Sequence, residues 1–167
     1  LEYLSKYFDI TVFYFNPNIS PESEYIKRVN EVKRLIEEMP DCEDVKFLEG
    51  RYNPNEFYDC AKGLEDAPEG GERCLKCFRL RFKETANAAA KAGSEYVCTT
   101  LTISPLKNAD NLNKIGEEEC EKLGLKWLPS DFKKKNGYKR SIELSREYDL
   151  FRQNYCGCVF SKRNSVV

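Results

Sequence analysis

Two pairs of closely spaced cysteines are the residues of this sequence best suited to chemistry. Cys74 and Cys77 form a Cys-x-x-Cys pair, and Cys156 and Cys158 form a Cys-Gly-Cys pair. The first pair is expected at the start of a helix, where the helix N-terminus and nearby basic residues favour thiolate. A turn centred on Gly157 can bring the sulfurs of the second pair together. Such thiols act as metal ligands or as a redox couple.

The chain contains eight cysteines and no histidine. Any metal is therefore held by thiolate, carboxylate or hydroxyl groups, and mixed Cys/His zinc sites are excluded. We predict that Cys74, Cys77, Cys156 and Cys158 lie together as metal ligands. From the spacing alone, zinc, an iron–sulfur cluster and no metal all stay open. The other cysteines are isolated and are predicted to be small buried hydrophobes: Cys42, Cys60, Cys98 and Cys120.

Polar residues gather in two loops that follow predicted strands. In parallel sheets, ligands bind where the carboxyl ends of the strands meet. Side chains there can hold a phosphate or a ribose, although an ordinary strand exit with satisfied hydroxyls is the alternative. The candidates for contacting a substrate are Asn16, Asn18, Thr100, Thr102, Ser104 and Lys107.

The C-terminal part of the chain carries the opposite charge to the rest. Residues 1–125 have 17 basic and 24 acidic side chains, whereas residues 126–167 have 10 basic and 4 acidic ones. Basic groups neutralise phosphates and aromatic rings stack on unpaired bases, so the basic loop at 133–140 is predicted to bind RNA. The alternative is a solvated surface run. The predicted contacts are Lys133, Lys134, Lys135, Tyr138, Lys139 and Arg140.

The elements that must position these residues alternate along the chain. Strands are predicted at 9–15, 45–48, 96–100 and 125–128, and the longest helices at 20–39, 74–92 and 108–123. This order favours one α/β domain over residues 1–167, with a parallel sheet and helices on both faces, Rossmann-like. No stretch approaches the ~20 apolar residues that cross a bilayer. We therefore expect a cytoplasmic protein without a membrane partner.

Five segments together resemble the cobalamin-independent epoxyqueuosine reductases, the QueH family. They are residues 13–28, 62–81, 99–108, 131–141 and 150–161, in the same order. The resemblance implies reduction of epoxyqueuosine to queuosine at the wobble position of tRNA, with a fold like that of the adenine nucleotide alpha-hydrolases. It implies a [4Fe–4S] cluster with Cys74 and Cys77 among its ligands. It also implies a redox role or a second iron for Cys156 and Cys158. The implied partners are the tRNA anticodon arm and an electron donor of unknown identity.

The sequence departs from the family pattern at its start. The family opens with a strand that ends in a Cys-Cys-x-Pro-Cys loop, which supplies the other cluster ligands, and no such motif occurs here. We therefore expect the extreme N-terminus and the first strand to be missing, and iron binding to be weaker than in a longer form. Two other classes stay open: an ATP-pyrophosphatase-type tRNA thiolase and a zinc-stabilised RNA-binding module.

Overall fold

The structure is a computed structural model that describes residues 1–40 and 42–163. Short strands alternate with helices, and one 3₁₀ helix spans Thr100–Ile103. The other elements, in chain order, are β1 (Thr11–Tyr14), α1 (Glu22–Glu38), β2 (Lys46–Glu49), α2 (Pro54–Ala61), α3 (Glu72–Ala92), β3 (Tyr96–Val97), α4 (Ala109–Glu121), β4 (Lys126–Trp127), α5 (Gly137–Glu147) and α6 (Val159–Arg163). No helix within the described ranges is long and apolar enough to cross a membrane.

The strands pair in parallel, two by two. β1 pairs with β2 in a register that sets Val12 opposite Phe47, and β3 pairs with β4 through Val97 and Trp127. The predicted mixed α/β fold with parallel strands is confirmed. The described residues form two two-stranded sheets, however, rather than one continuous sheet.

The predicted strand 96–100 is shorter than expected. It stops at Val97, and the Thr99 side chain accepts a hydrogen bond from the backbone N–H of Leu101 at 3.2 Å. This bond caps the 3₁₀ helix, because a threonine hydroxyl can replace a backbone partner at a helix start. The chain therefore leaves the sheet before it reaches the candidate loop.

The chain divides into two compact units, each described here by itself. Unit 1 comprises the described residues of Leu1–Pro54 and Leu144–Val167, and unit 2 comprises Asn55–Glu143. The core of unit 1 is aromatic: Tyr14 from β1 meets Tyr25 of α1 edge-on, with ring centroids 5.5 Å apart. Tyr25 also stacks on Tyr52 at 4.2 Å. The prediction of a single domain stays a prediction.

The core of unit 2 lies between α3 and α4. Phe82 of α3 packs with the fully buried Leu112 of α4 and with Trp127 of β4. Gly116 permits this packing, because a Cβ at this position would overlap the Trp127 ring. Helix α3 ends as predicted at Gly93, which takes the left-handed φ of 69° that favours glycine at a helix C-terminus.

Candidate functional site

The Cys-Gly-Cys pair lies on a tight turn that leads into α6. Gly157 has a φ of 106°, a backbone conformation that L side chains rarely adopt. The turn places the Sγ atoms of Cys156 and Cys158 3.5 Å apart, with the Cys156 thiol donating to the Cys158 sulfur. A disulfide needs a separation of about 2 Å. The side chains therefore need only a small movement to form one.

The two sulfurs differ in their surroundings. Cys158 is buried and accepts a further hydrogen bond from the backbone N–H of Ser161 at 3.3 Å, whereas Cys156 is half-buried. The hydrogen bond with Cys156, together with burial, raises the pKa of the Cys158 thiol well above its ordinary range. Repulsion between two adjacent thiolates acts in the same direction, because it opposes loss of the second proton from the pair.

A buried arginine holds the backbone of this turn. Arg28 of α1 is 7% exposed, and its Nε donates to the Glu24 carboxylate at 2.8 Å. Its Nη1 donates to the carbonyl of Cys156 at 3.2 Å, and its Nη2 donates to the carbonyl of Tyr155 at 3.4 Å. Arg28 is not among the residues predicted from the sequence, where its signal is the Glu24–Arg28 spacing of four on a predicted helix.

The loop after β1 also hydrogen-bonds to the backbone of this turn. Asn18, predicted as a substrate-loop residue, donates through Nδ2 to the carbonyl of Cys156 at 3.4 Å. The backbone N–H of Ser20 donates to the carbonyl of Gly157 at 3.0 Å. Asn18 is 4% exposed, and its Oδ1 has no hydrogen-bond partner among the described residues. Asn16 is half-buried and closes the loop, since its carbonyl accepts from the N–H of Ile19.

The Cys-x-x-Cys pair lies in the first two turns of α3. Cys77 is buried and Cys74 is half-buried. The backbone N–H of Gly70 donates to the Sγ of Cys74 at 3.3 Å. Such bonds stabilise negative charge on sulfur and tune metal centres that thiolates hold. Cys74 is thus suited to be a metal ligand.

The basic residues around this pair are engaged with other groups. Arg73 is 2% exposed and anchors the loop before α3, because its Nη1 donates to three of that loop's backbone carbonyls. Those carbonyls belong to Leu64, Glu65 and Ala67. Arg79 pairs with two carboxylates of α4, and Lys76 lies 3.7 Å from the Glu72 carboxylate. Arg73 therefore holds the loop that presents Gly70 to Cys74.

The two cysteine pairs belong to different units. Cys74 and Cys77 are in unit 2, and Cys156 and Cys158 are in unit 1. Across residues 1–40 and 42–163, no group of three or more Cys, Asp or Glu side chains converges on a point where it could hold a metal ion. The predicted joint site of four cysteines stays a prediction. Each pair by itself offers two sulfur ligands, the soft donors that zinc and iron–sulfur clusters take.

The isolated cysteines behave in two ways. Cys42 and Cys120 are each 1% exposed, which confirms the prediction that they are buried. Cys120 packs in the core of unit 2, where burial raises its pKa to about 11. Cys60 and Cys98 are half-buried, and desolvation raises the pKa of both thiols. None of the eight cysteines forms a disulfide in the structure.

Some polar groups of the hydroxyl-rich loop after β3 are engaged in hydrogen bonds within the protein. Thr102 is fully buried, its Oγ1 lies 3.1 Å from the Ser130 hydroxyl, and it accepts from the N–H of Phe132. The Ser104 hydroxyl accepts from the N–H of Leu106. Thr100 is exposed and Lys107 is half-buried. Thr102 and Ser104 thus hold the loop in shape, and a substrate role for the four candidates here stays a prediction.

The first half of the basic segment is a turn. Lys133 and Lys134 both reach the carboxylate of Asp131, at 2.6 and 3.3 Å. The hydrogen bond from Lys133 holds the pKa of Asp131 below its usual range. Lys134 and Lys135 are exposed. Asp131 therefore offsets part of the positive charge of this segment.

The second half of the segment is helical, which corrects the prediction of one continuous loop. Lys135 and Asn136 have positive φ angles of 48° and 65°, and α5 begins directly after them at Gly137. Tyr138, Lys139 and Arg140 therefore lie in the first turn of α5. The helix forms here because the backbone reverses at Lys135 and Asn136, and sequence patterning alone does not reveal that reversal.

A mixed α/β protein with a dithiol turn and a second pair of closely spaced cysteines carries the thiol chemistry that redox and metal-dependent enzymes use. The family model for epoxyqueuosine reductase QueH matches residues 1–164, and the chain therefore belongs to the QueH family.

Curated relatives agree with that match. The chain is 45% identical over 165 residues to the epoxyqueuosine reductase QueH of Streptococcus pyogenes serotype M1, covering 98% of this chain and 65% of that protein. It is 43% identical over 165 residues to the Staphylococcus epidermidis protein of the same name, covering 96% and 69%. The Thermotoga maritima relative, also named epoxyqueuosine reductase QueH, is 37% identical over 156 residues, covering 92% and 79%. The chain thus spans about two thirds of the length of the first two relatives.

Proposed function

We propose that this protein reduces epoxyqueuosine to queuosine in tRNA. Its relatives are named epoxyqueuosine reductases, which supports the proposal. The observation that carries the proposal is the dithiol of Cys156 and Cys158, with sulfurs 3.5 Å apart, in a chain that matches the QueH family over residues 1–164. The family match favours this reductase over a tRNA thiolase or a zinc-stabilised RNA-binding module.

The dithiol balances the proposed reaction. Opening an epoxide to an alkene removes its oxygen as water and consumes two electrons and two protons. Oxidation of the Cys156 and Cys158 thiols to one disulfide releases two electrons and two protons. One turnover therefore leaves the pair as a disulfide, and an external electron donor must reduce it before the next turnover.

The two cysteines at the start of α3 fit a [4Fe–4S] cluster in their donor chemistry. Cys74 and Cys77 are sulfur ligands on adjacent helical turns, and Cys74 already accepts a backbone N–H. When bound, such a cluster supplies one-electron transfer. We propose that Cys74 and Cys77 are two of its ligands. A second iron at Cys156 and Cys158 is the alternative to their redox role.

The proposed RNA contacts belong to unit 2. The exposed lysines of residues 133–140 and the Tyr138 ring suit a single-stranded anticodon loop, since they pair charge with an aromatic stacking face. We propose a Rossmann-like fold of the adenine nucleotide alpha-hydrolase kind, which the parallel pairing of β1 with β2 and of β3 with β4 supports. We also propose the cytoplasm as the place of action.

The test is an assay of the anaerobically reconstituted protein on tRNA that carries epoxyqueuosine, with queuosine measured by mass spectrometry of the digested tRNA. The wild type is expected to form queuosine, and Cys156→Ser and Cys158→Ser are each expected to lose at least about 100-fold in rate, because one thiol cannot form the disulfide. Cys120→Ser is the matched control. It is expected to keep the rate, because Cys120 lies in the core of unit 2 and belongs to neither cysteine pair.

Iron content separates the roles of the two pairs. Cys74→Ser is expected to lower bound iron, whereas Cys156→Ser is expected to keep it. No queuosine from the wild type would overturn the proposed reaction. Loss of iron in Cys156→Ser would instead assign that pair to a metal.

A further inference from the structure

Arg28 is a buried charge whose contacts converge on the dithiol turn. It is 7% exposed, and its ion-pair partner Glu24 has a side chain that is 18% exposed. A guanidinium with so little water costs free energy unless its donors are satisfied. Here Nε donates to the Glu24 carboxylate, and the two Nη atoms donate to the carbonyls of Tyr155 and Cys156. The fork of the guanidinium is therefore aimed at the backbone that carries the reactive sulfurs.

The turn is also pressed against Arg28 from the side of Gly157. A Cβ at this glycine would lie 3.1 Å from Arg28 Nη1 and 2.7 Å from Ile19 Cγ1. The Tyr155 ring lies beside the same guanidinium, 5.1 Å from its carbon to the ring centroid. Backbone, ring and glycine of one short segment thus contact a single side chain. Movement of the turn would break several of these contacts together.

We propose that Arg28 is a positioning residue that sets the dithiol–disulfide equilibrium of Cys156 and Cys158. By holding two successive carbonyls, it keeps the turn in the one backbone geometry where the sulfurs meet. Folding already holds the two sulfurs near each other. Forming the S–S bond therefore costs less conformational entropy than it would in a flexible segment. We call the two hydrogen bonds from Arg28 to the carbonyls of Tyr155 and Cys156 the clamp. The clamp favours the disulfide over the dithiol. This inference rests on the redox role proposed above for the two cysteines.

The equilibrium is defined against a named oxidant. The Cys156 and Cys158 thiols lose two protons and two electrons as the S–S bond forms. One glutathione disulfide accepts them and becomes two molecules of glutathione. Neither tRNA nor the epoxide takes part. Failure of this inference is therefore distinguishable from failure of the proposed tRNA reaction.

The experiment equilibrates the protein anaerobically in glutathione buffers of varied ratio, traps thiols by alkylation, and measures the oxidised fraction of the Cys156–Cys158 peptide by mass spectrometry. Iron is measured in each sample. Arg28→Met is expected to lower the equilibrium constant for the disulfide about tenfold, equivalent to a potential about 30 mV more oxidising. Arg28→Lys is expected to recover only part of this loss, because an ammonium lacks the planar fork that holds two carbonyls.

Arg34→Met is the matched control. Arg34 lies on the same helix, pairs with Glu31 and Glu38, and also donates to two carbonyls, those of Tyr148 and Asp149. It does not hold the dithiol turn, so its substitution is expected to leave the equilibrium unchanged. An equal shift in Arg34→Met would overturn the proposal, because any lost contact on α1 would then have the same effect.

A second variant guards against misfolding of Arg28→Met. Glu24→Gln keeps Arg28 but removes the charge that orients it, and is expected to shift the equilibrium about threefold in the same direction. An unchanged equilibrium in folded Arg28→Met, or in Glu24→Gln where Arg28→Met does not fold, would contradict the clamp. A shift towards the disulfide would contradict it too, since the charge of Arg28 on a thiolate would then dominate.

Discussion

At the scale of single residues, the dithiol turn depends on a residue without a side chain. Gly157 combines a φ of 106° with close contacts on two sides, from Ile19 and Arg28. Conformation and packing therefore both select glycine at the centre of the Cys-x-Cys motif. The sulfurs come close because the backbone between them can bend in this way. The short distance between them therefore depends on glycine at position 157.

Gly157→Ala is expected to lower the free energy of unfolding by about 2–4 kcal/mol, from backbone strain and from overlap with Ile19. Urea unfolding followed by circular dichroism measures this loss. Gly63→Ala is the matched control, because Gly63 has a φ of 75° with nothing within 4 Å of an added Cβ. It should lose only the strain, about 1–2 kcal/mol. Equal losses in both variants would show that contact with Ile19 and Arg28 costs nothing.

At the scale of elements, one buried carboxylate ties α3 to α4. Glu119 of α4 has a side chain that is 2% exposed, and it accepts from Arg79 of α3 at 2.7 Å and from Lys122 at 2.6 Å. Burial opposes its ionisation, but the hydrogen bonds from Lys122 and Arg79 more than offset this and lower the pKa of Glu119 below 4.5. The charged form is thus the one that stabilises the fold.

Glu119→Gln is expected to lower the free energy of unfolding at pH 7 by about 1–2 kcal/mol, since it removes two charge-assisted hydrogen bonds. Because the folded-state pKa is depressed, the contribution is present above the ordinary value of 4.5 and is lost as the pH falls through the folded-state pKa. The difference from the wild type, measured by urea unfolding, should therefore shrink in acid.

Glu118→Gln provides the comparison. Glu118 binds the same Arg79 at 2.6 Å, but its side chain is 39% exposed. Its substitution should change the free energy of unfolding by less than about 0.5 kcal/mol at either pH. If the two variants behaved alike, burial of Glu119 would not be the source of the effect.

Sequence patterning located most helices because their signals are local. The alanine-rich run before Gly93 predicted α3, and the structure has it ending at Ala92. The β3 strand was predicted too long, since a single bond from Leu101 to the Thr99 side chain ends it. Arg28 could not be recognised, because its role depends on carbonyls more than 120 residues away. The role of Arg28 was thus missed because it is a contact between a side chain and a distant backbone, whereas the error at β3 comes from a local side-chain bond.

At the scale of the whole molecule, charge is segregated along the chain. Residues 126–167 carry an excess of six positive charges, against an excess of seven negative charges in residues 1–125. Part of the positive excess is offset locally, because Lys133 and Lys134 share the carboxylate of Asp131. The net charge available to a phosphate backbone is therefore smaller than the count of lysines suggests.

Replacing Lys133, Lys134 and Lys135 with alanine is expected to weaken tRNA binding and to reduce the salt slope of log K by about 2, rather than 3, because Asp131 already offsets one charge. Filter binding at several salt concentrations measures both quantities, with iron content expected to stay unchanged. The control replaces three exposed lysines elsewhere: Lys46, Lys83 and Lys91. Equal loss of affinity in the control would show that residues 133–140 contribute only as general surface charge and not as a specific RNA contact.

The make-up of unit 1 from two separate stretches of chain has a consequence for biosynthesis. Asn18 and Cys156 are 138 residues apart in sequence, and the whole of unit 2 lies between the two stretches. At about 5–20 residues per second of translation, the loop after β1 is made roughly 7–28 s before the turn that it contacts. Long-range closures of this kind are slow folding events. Cys156 and Cys158 therefore acquire their held geometry only when the second stretch of unit 1, which begins at Leu144, packs against the first.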